Sequence, residues 1–351
     1  MNNIPKIGDK IIDGKLVKQD QTLDFQTKVA EQLSNDTESE NEIEKEDTKE
    51  YSIKQFRIDY KHILRRKIFS KLRPFEKERQ KTLKLLLWLG IPLLITSTIC
   101  LFILCNKASD FRLISVPFVL YFVIWQHFKK KLENKVKNNM MPILMNAVPN
   151  FQWSLNTAIS QDELVQVDII PNLEHADFKS DDNFTGKYND VDVIISEHEY
   201  NVGSGKNRRT VFKGAIIKIH MNKNFEGITL IRPKGIRSTA HRLEEVKLED
   251  VEFSKKYQVF SDNQIEARYL ITTSFMERFQ NIKTAYEASE IYGAFYDNYI
   301  YIAPRCNKDL FSLAHLSKTL IDEEQYDVLF DEFASILTLV DHFKLNMKLG
   351  L

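Results

Sequence analysis

The stretch NVGSGKNRR contains Gly203-Ser204-Gly205-Lys206, the glycine, hydroxyl and ammonium groups that a phosphate-binding loop uses. Such a loop needs G-x-x-x-x-G-K-[ST], because backbone N–H groups must wrap the phosphates while a hydroxyl reaches Mg²⁺. Counting back from Gly205 puts Tyr200 where the first glycine belongs, and Asn207 follows Lys206 where the hydroxyl belongs. The segment also stands between two strand-like stretches, whereas a phosphate loop joins a strand to a helix. It is read as a hairpin tip whose glycines supply positive φ, and no nucleotide is expected at the Gly203–Lys206 loop.

Glu197-His198-Glu199 and His220 lie on those same two stretches. Imidazole and carboxylate suit Zn²⁺ or Mn²⁺, and Glu197 and Glu199 share a strand face, so the group could be half of a metal site. No further ligand follows at a recognisable spacing. Cys306 and His315 would make a thiol–imidazole pair only if the fold brought them together. G-x-S-x-G, H-E-x-x-H and C-x-x-C are absent, and the basic loops lack interleaved aromatics for stacking bases. No catalytic residue is therefore assigned, no metal or other cofactor is expected, and nucleic acid is not expected as a partner.

The charge balance of 49 basic and 49 acidic residues favours no polyanionic or polycationic partner. The average conceals a segregation. Glu31 to Glu50 holds nine acids against Lys45 and Lys49, while Lys54 to Lys84 holds twelve bases against Asp59, Glu76 and Glu78. Three cysteines give no disulfide framework. The N-terminus lacks the pattern of a cleaved signal peptide.

Leu85 to Asn106 runs 22 residues without a charge, and as a helix would cover roughly 33 Å, enough for a bilayer core. A second apolar stretch, Leu113 to Phe128, has only 16 residues. Arg112 and Lys129 at its ends, with Tyr121 and Trp125 near the interface, let it serve as a second span. Basic residues crowd before the first stretch and after the second, which predicts a multi-pass membrane protein with both termini cytoplasmic.

The expected organisation is a disordered acidic tail over 1–50, a basic juxtamembrane helix over 51–84 and a transmembrane helical hairpin over 85–128. A helical linker over 129–150 and a cytoplasmic α+β domain over 151–351 follow. Within that domain, GKYNDVDVIISEHEY and RTVFKGAIIKIHMNK alternate as strands, and EGITLIRPKG reads as a third member of an antiparallel meander. Asp262 is expected to cap NQIEARYLI, and Ser274-x-x-Glu277 to open the next helix. GAFYDNYIYIA predicts a hairpin turning at Asp297-Asn298, and Asp322 to Met347 predicts a long amphipathic closing helix. Strands in blocks and helices in blocks argue for α+β with a mainly antiparallel sheet.

Phe212-Lys213-Gly214, Asn224-Phe225-x-Gly227, Glu266-Ala267-Arg268-Tyr269 and Phe275-Met276-Glu277-Arg278 occur in one order along the chain. In these motifs the segment from about Lys129 to Leu345 resembles the bacterial family catalogued as domain of unknown function 3137. The resemblance implies a membrane helix pair joined to a cytoplasmic domain, and no catalytic residues to carry over. Read physically, Gly214 and Gly227 suit a bulge or a close backbone approach. Glu266, Arg268, Glu277 and Arg278 suit either an ion-pair network between two helices or a ligand cluster. Two functions stay open: a non-catalytic module that binds a protein partner or itself at the bilayer, and a membrane-associated enzyme such as a hydrolase, with or without a metal.

Overall fold

A computed structural model of the chain describes residues 10–12, 15–17, 51–105, 112–148, 150–221, 224–236 and 243–348. Two units are present. In the first, strands β1 (Lys10–Ile12) and β2 (Lys15–Val17) pair antiparallel, Lys10 opposite Val17. The rest of the acidic tail lies outside the described residues.

The second unit, Ser52–Leu351, begins with α1 (Ile53–Ile63), whose first turn is capped by the Ser52 hydroxyl accepting from the Gln55 N–H at 3.2 Å. A five-residue π turn, Leu64–Ile68, passes into α2 (Phe69–Cys105) without a break. Among the described residues one helix, Ile53–Ile99, is long and apolar enough to cross a membrane. The segment expected as a second span is helical within α3 (Arg112–Met145), but among the described residues no second helix meets that test. Helices α2 and α3 touch where a Cβ on Gly90 would stand 3.3 Å from the Tyr121 ring, and Lys135 and Glu78 pair across them at 2.6 Å.

The basic portions of these helices belong to the core. Phe56, Tyr60, Ile63, Leu64, Ile68 and Leu72 are buried along one stripe while Lys54, Arg57, Arg65, Arg66 and Lys67 stay exposed. That stripe meets the closing helix α8 (Glu323–Lys348): Phe56 stacks on Phe330 at 4.7 Å, Tyr60 O–H donates to the Tyr326 carbonyl at 2.5 Å, and Arg65 holds Glu323 at 2.9 Å. On α2, Arg79 clasps Glu76 at 2.6 Å; Arg79 also donates to the Leu316 carbonyl, and Glu76 accepts from the Leu320 N–H. Hydrogen bonding from Arg79 holds the Glu76 carboxyl down at about 2.

From α3 the chain enters β3 (Phe151–Ser154), α4 (Gln161–Val167), β4 (Asp177–Tyr188), β5 (Val191–Val202), β6 (Arg209–His220), β7 (Thr229–Pro233) and β8 (Glu244–Val246). It continues through α5 (Val251–Lys256), β9 (Tyr257–Ser261), α6 (Gln264–Leu270), α7 (Thr273–Ala285), β10 (Glu290–Tyr296) and β11 (Tyr299–Arg305) before α8. The nine strands β3 to β11 form one antiparallel sheet ordered β3-β4-β5-β6-β11-β10-β7-β9-β8. The expected meander therefore stops at β6. The hairpin β10–β11, which turns at Asp297-Asn298 as the sequence predicts, inserts between β6 and β7. One sheet face packs on α7 and α8 through Phe275, Phe279 and Phe333; the other packs on α4 and its following loop through Leu164, Val167, Ile169 and Tyr292.

Helix caps differ from the sequence reading. Asn263, not Asp262, caps α6, and Thr272, not Ser274, caps α7. Asp262 instead accepts from the Ile228 N–H at 2.8 Å, which leaves no room at Gly227, where a Cβ would fall 2.2 Å from the Asp262 Oδ1. Gly214 is tighter still, since a Cβ there would lie 2.0 Å from the Pro304 carbonyl oxygen on neighbouring β11. Backbone cannot swing aside as a side chain can. Gly214→Ala is expected to destabilise the domain by about 3 kcal/mol, near the top of the usual overpacking range, which thermal unfolding in detergent would register; Gly205→Ala, with nothing within 4 Å, should cost only the strain of its positive φ, about 1 kcal/mol.

Candidate functional site

The polar groups that could do chemistry gather where β4 departs from regular pairing. Ser180 sits opposite His198 and Asn183 opposite Ser196, so Asp181 and Asp182 together oppose Glu197. Two residues facing one is a β-bulge, which turns side chains away from their expected faces. One carboxylate oxygen from each of Asp181, Asp182 and Glu197 lies within 4.8 Å of the others. Asp182 is 0% exposed and Glu197 4%, whereas Asp181 reaches solvent.

Helix α3 supplies the counter-charge. Lys137 Nζ, itself buried, lies 2.6 Å from Asp182 Oδ2 and 3.8 Å from Asp181 Oδ2, and Trp153 Nε1 on β3 donates to Asp182 Oδ1 at 2.7 Å. Glu197 Oε1 accepts from the Leu310 N–H at 3.1 Å, and its Oε2 is buried with no hydrogen-bond partner among the described residues. Burial pushes the Glu197 carboxyl up to about 8, with Asp309 adding to the effect. Burial also raises Asp182 to about 6, against the opposing pull of Lys137 and Trp153. Burial pulls the Lys137 ammonium down, but Asp182 outweighs it and the net direction is up.

The opposite face of the same strands holds a chain of buried polar groups. Ser196 Oγ lies 2.6 Å from His198 Nε2, and His198 Nδ1 lies 3.0 Å from the Tyr200 hydroxyl. A serine beside an imidazole is the arrangement of a nucleophile and its base. Three observations assign it to structure instead. Asn183 Oδ1 accepts from the Ala158 N–H at 3.1 Å and also from Ser196 Oγ, so the serine proton already points away from the ring. The ring must then donate from Nε2 and accept from Tyr200 at Nδ1, the wrong tautomer for a base toward Ser196. Ser196, His198 and Tyr200 are fully buried, and burial drives the imidazole down to about 3, leaving it neutral.

Of the residues singled out in sequence, Glu197 and Glu199 share a face as expected, while His198 and His220 occupy the other one. His220 hydrogen-bonds Asn298 at 2.9 Å and packs edge-on against Tyr299, in an open groove of about 730 Å³ lined also by Gln152, Thr185, Asp192 and Lys218. It does not converge with Glu197. Glu199 accepts from Asn201 at 2.8 Å. Cys306 is buried with its thiol donating to the Tyr286 carbonyl at 3.4 Å and pushed up to about 12 by burial, so it is no thiolate; no hydrogen bond or ring contact joins it to His315 among the described residues. Glu266 clamps the Glu226 N–H with both oxygens, and Arg268 and Arg278 bond carbonyls of their own helices. None of Glu266, Arg268, Glu277 and Arg278 pairs with another of the four among the described residues. Gly203 and Gly205 carry positive φ of 79° and 55°, and the loop between them joins β5 to β6, which pair from Val202–Arg209 onward.

The family model described as "Protein of unknown function (DUF3137)" matches residues 210–345. This segment belongs to the DUF3137 family. The DUF3137 segment runs from β6 through most of α8 and begins later than the resemblance read from sequence, which reached back to Lys129. Lys137, Trp153, Asp181, Asp182 and Glu197 all precede it; of the groups around the acidic cluster, Asp309 and Leu310 lie within it. No curated protein matches the chain. The crystal structure of the mycobacterial trehalose monomycolate transport factor A, TtfA, aligns with 14% identity and a TM-score of 0.31, over 54% of this chain and 86% of that one, a likeness too low to carry an argument.

Proposed function

We propose that the protein is a membrane-tethered, non-catalytic module of a bacterial inner membrane, with two spans, cytoplasmic termini and a DUF3137-containing domain that binds a protein partner or a second copy. One observation carries the reading. Trp88 is 79% exposed, Leu87 63% and Phe122 59%, alongside Ile91, Ile95, Val119 and Val123, all on α2 and α3 where the two helices run beside each other. Water would drive such a surface into contact with something apolar, and a bilayer core satisfies it. The same helices are bonded to the domain at Glu76, Arg79 and Lys137, so anchor and domain form one body rather than a domain on a loose tether. The sealed Ser196–His198 pair gives a hydrolase reading no support.

Topology is the test. In a variant lacking Cys100, Cys105 and Cys306, Ser109→Cys is expected to react with an impermeant maleimide on intact cells, and Ser204→Cys only after permeabilisation. Equal labelling of both positions would end the two-span reading. A strictly monomeric full chain in detergent that crosslinks to no neighbour in cells would end the binding-module reading.

A further inference from the structure

The acidic cluster at the β4 bulge carries more negative charge than its one bond to α3 through Lys137 requires. Asp181, Asp182 and Glu197 bring three carboxylates to one point, and Lys137 brings a single ammonium. Asp309 adds further negative potential at both Glu197 and Lys137. A folded interior does not hold uncompensated carboxylates without binding protons or cations. A second observation points to the cation. Glu197, on a different strand from the aspartates and almost wholly buried, spends Oε1 on the Leu310 N–H and leaves Oε2 with no hydrogen-bond donor among the described residues. An orphaned carboxylate oxygen in a cluster of carboxylates lacks a positive partner.

We infer that Asp181, Asp182 and Glu197 form a binding site for a hard divalent cation, Mg²⁺, Ca²⁺ or Mn²⁺, which competes there with the Lys137 ammonium. The donors are all oxygen, with neither thiolate nor imidazole among them. His198 lies across the sheet, bonded to Ser196 and Tyr200. Such a set selects Mg²⁺, Ca²⁺ or Mn²⁺ over Zn²⁺ or Cu²⁺. Asp181, with a side chain 55% exposed, gives the ion a route from solvent and room for water ligands. Competition with Lys137 follows from position, since its ammonium touches Asp182 and stands near Asp181. Because Lys137 belongs to α3, filling the site weakens one bond between that helix and the sheet.

The test uses the full chain in detergent, titrated with Mn²⁺ and followed by the loss of the free-ion paramagnetic resonance signal. Saturable binding at one Mn²⁺ per chain is expected, displaced by Ca²⁺ or Mg²⁺. Asp181→Asn, at an exposed position, should weaken it by about tenfold or more without lowering the metal-free unfolding temperature, and Glu197→Gln should weaken it likewise. Lys137→Met should tighten it, because the competing ammonium is gone; if that variant does not fold, the Asp181→Asn comparison decides. Absence of saturable Mn²⁺ binding to the wild type, or equal affinity in wild type and Asp181→Asn, would overturn the site.

Discussion

Lys137→Met is expected to destabilise the metal-free protein by about 3–5 kcal/mol at neutral pH, the usual result of removing one partner of a buried ion pair. The size follows from what stays behind. Asp182 would keep Trp153 as a donor but lose its short cationic contact to Lys137, at a position with no solvent exposure and with Glu197 beside it. Its carboxyl, already raised by burial with Lys137 present, would have to take up a proton to remain inside. The loss should accordingly be smaller in mild acid than in mild alkali. Lys137→Met combined with Asp182→Leu should recover most of the stability, because a matched apolar pair in place of a buried ion pair is often neutral. Thermal unfolding in detergent, with trypsin protection of the domain as a second readout, measures both. A neutral single variant would mean that α3 is held by Val136, Met140, Met141 and Leu144 alone.

That bond also marks where sequence reasoning stops. The alternation Val191, Val193, Ile195 and Val211 to Ile219 exposes β5 and β6 plainly, because a half-buried strand repeats every second residue. The hairpin at Asp297-Asn298 and the closing helix are legible for similar local reasons. Sheet order is not local: nothing in EGITLIRPKG says that β10 and β11 will separate it from β6, since an apolar face fits any neighbour with the right pleat. The bulge hides in the same way. Phe178 and Phe184 have the same parity, yet Phe178 packs on His198 and Tyr200 while Phe184 packs on Phe311 and Phe333 across the sheet. Only an extra residue between them reconciles the two, and that residue turns Asp181 and Asp182 from a surface-looking acidic dipeptide into a cluster with Glu197. The same-face relation of Glu197 and Glu199 was readable; the partners across the strand were not. Gly214 is the opposite case, for a glycine beside a strongly alternating strand signals close backbone approach before any neighbour is known, and Pro304 supplies it.

Stability is also expected to depend on Glu332, and the sign can be worked out from its surroundings. Glu332 lies on α8, 2% exposed, with Lys308 Nζ 3.6 Å away; Glu287 shares that lysine at 3.3 Å, and Tyr286 and Cys306 lie close enough to feel its charge. Burial raises its carboxyl to about 7 from an ordinary 4.5, with Lys308 opposing and Glu287 reinforcing the shift. A carboxyl that binds its proton more tightly in the folded chain stabilises the fold fully below the unfolded pKa, and that stabilisation disappears as pH rises through the folded one. The window is therefore about pH 4.5 to 7, and the amount at stake is about 3 kcal/mol. Glu332→Gln keeps the shape and removes the titration. The variant should match the wild type near about pH 4 and exceed it near about pH 8, with Lys308 retaining Glu287 as its partner. Other groups titrate in this range, so the quantity to read is the difference between the two pH profiles rather than either one. Parallel profiles from about pH 5 to about pH 8 would mean that water or Lys308 solvates the ionised Glu332 well enough for α8 to carry it without cost.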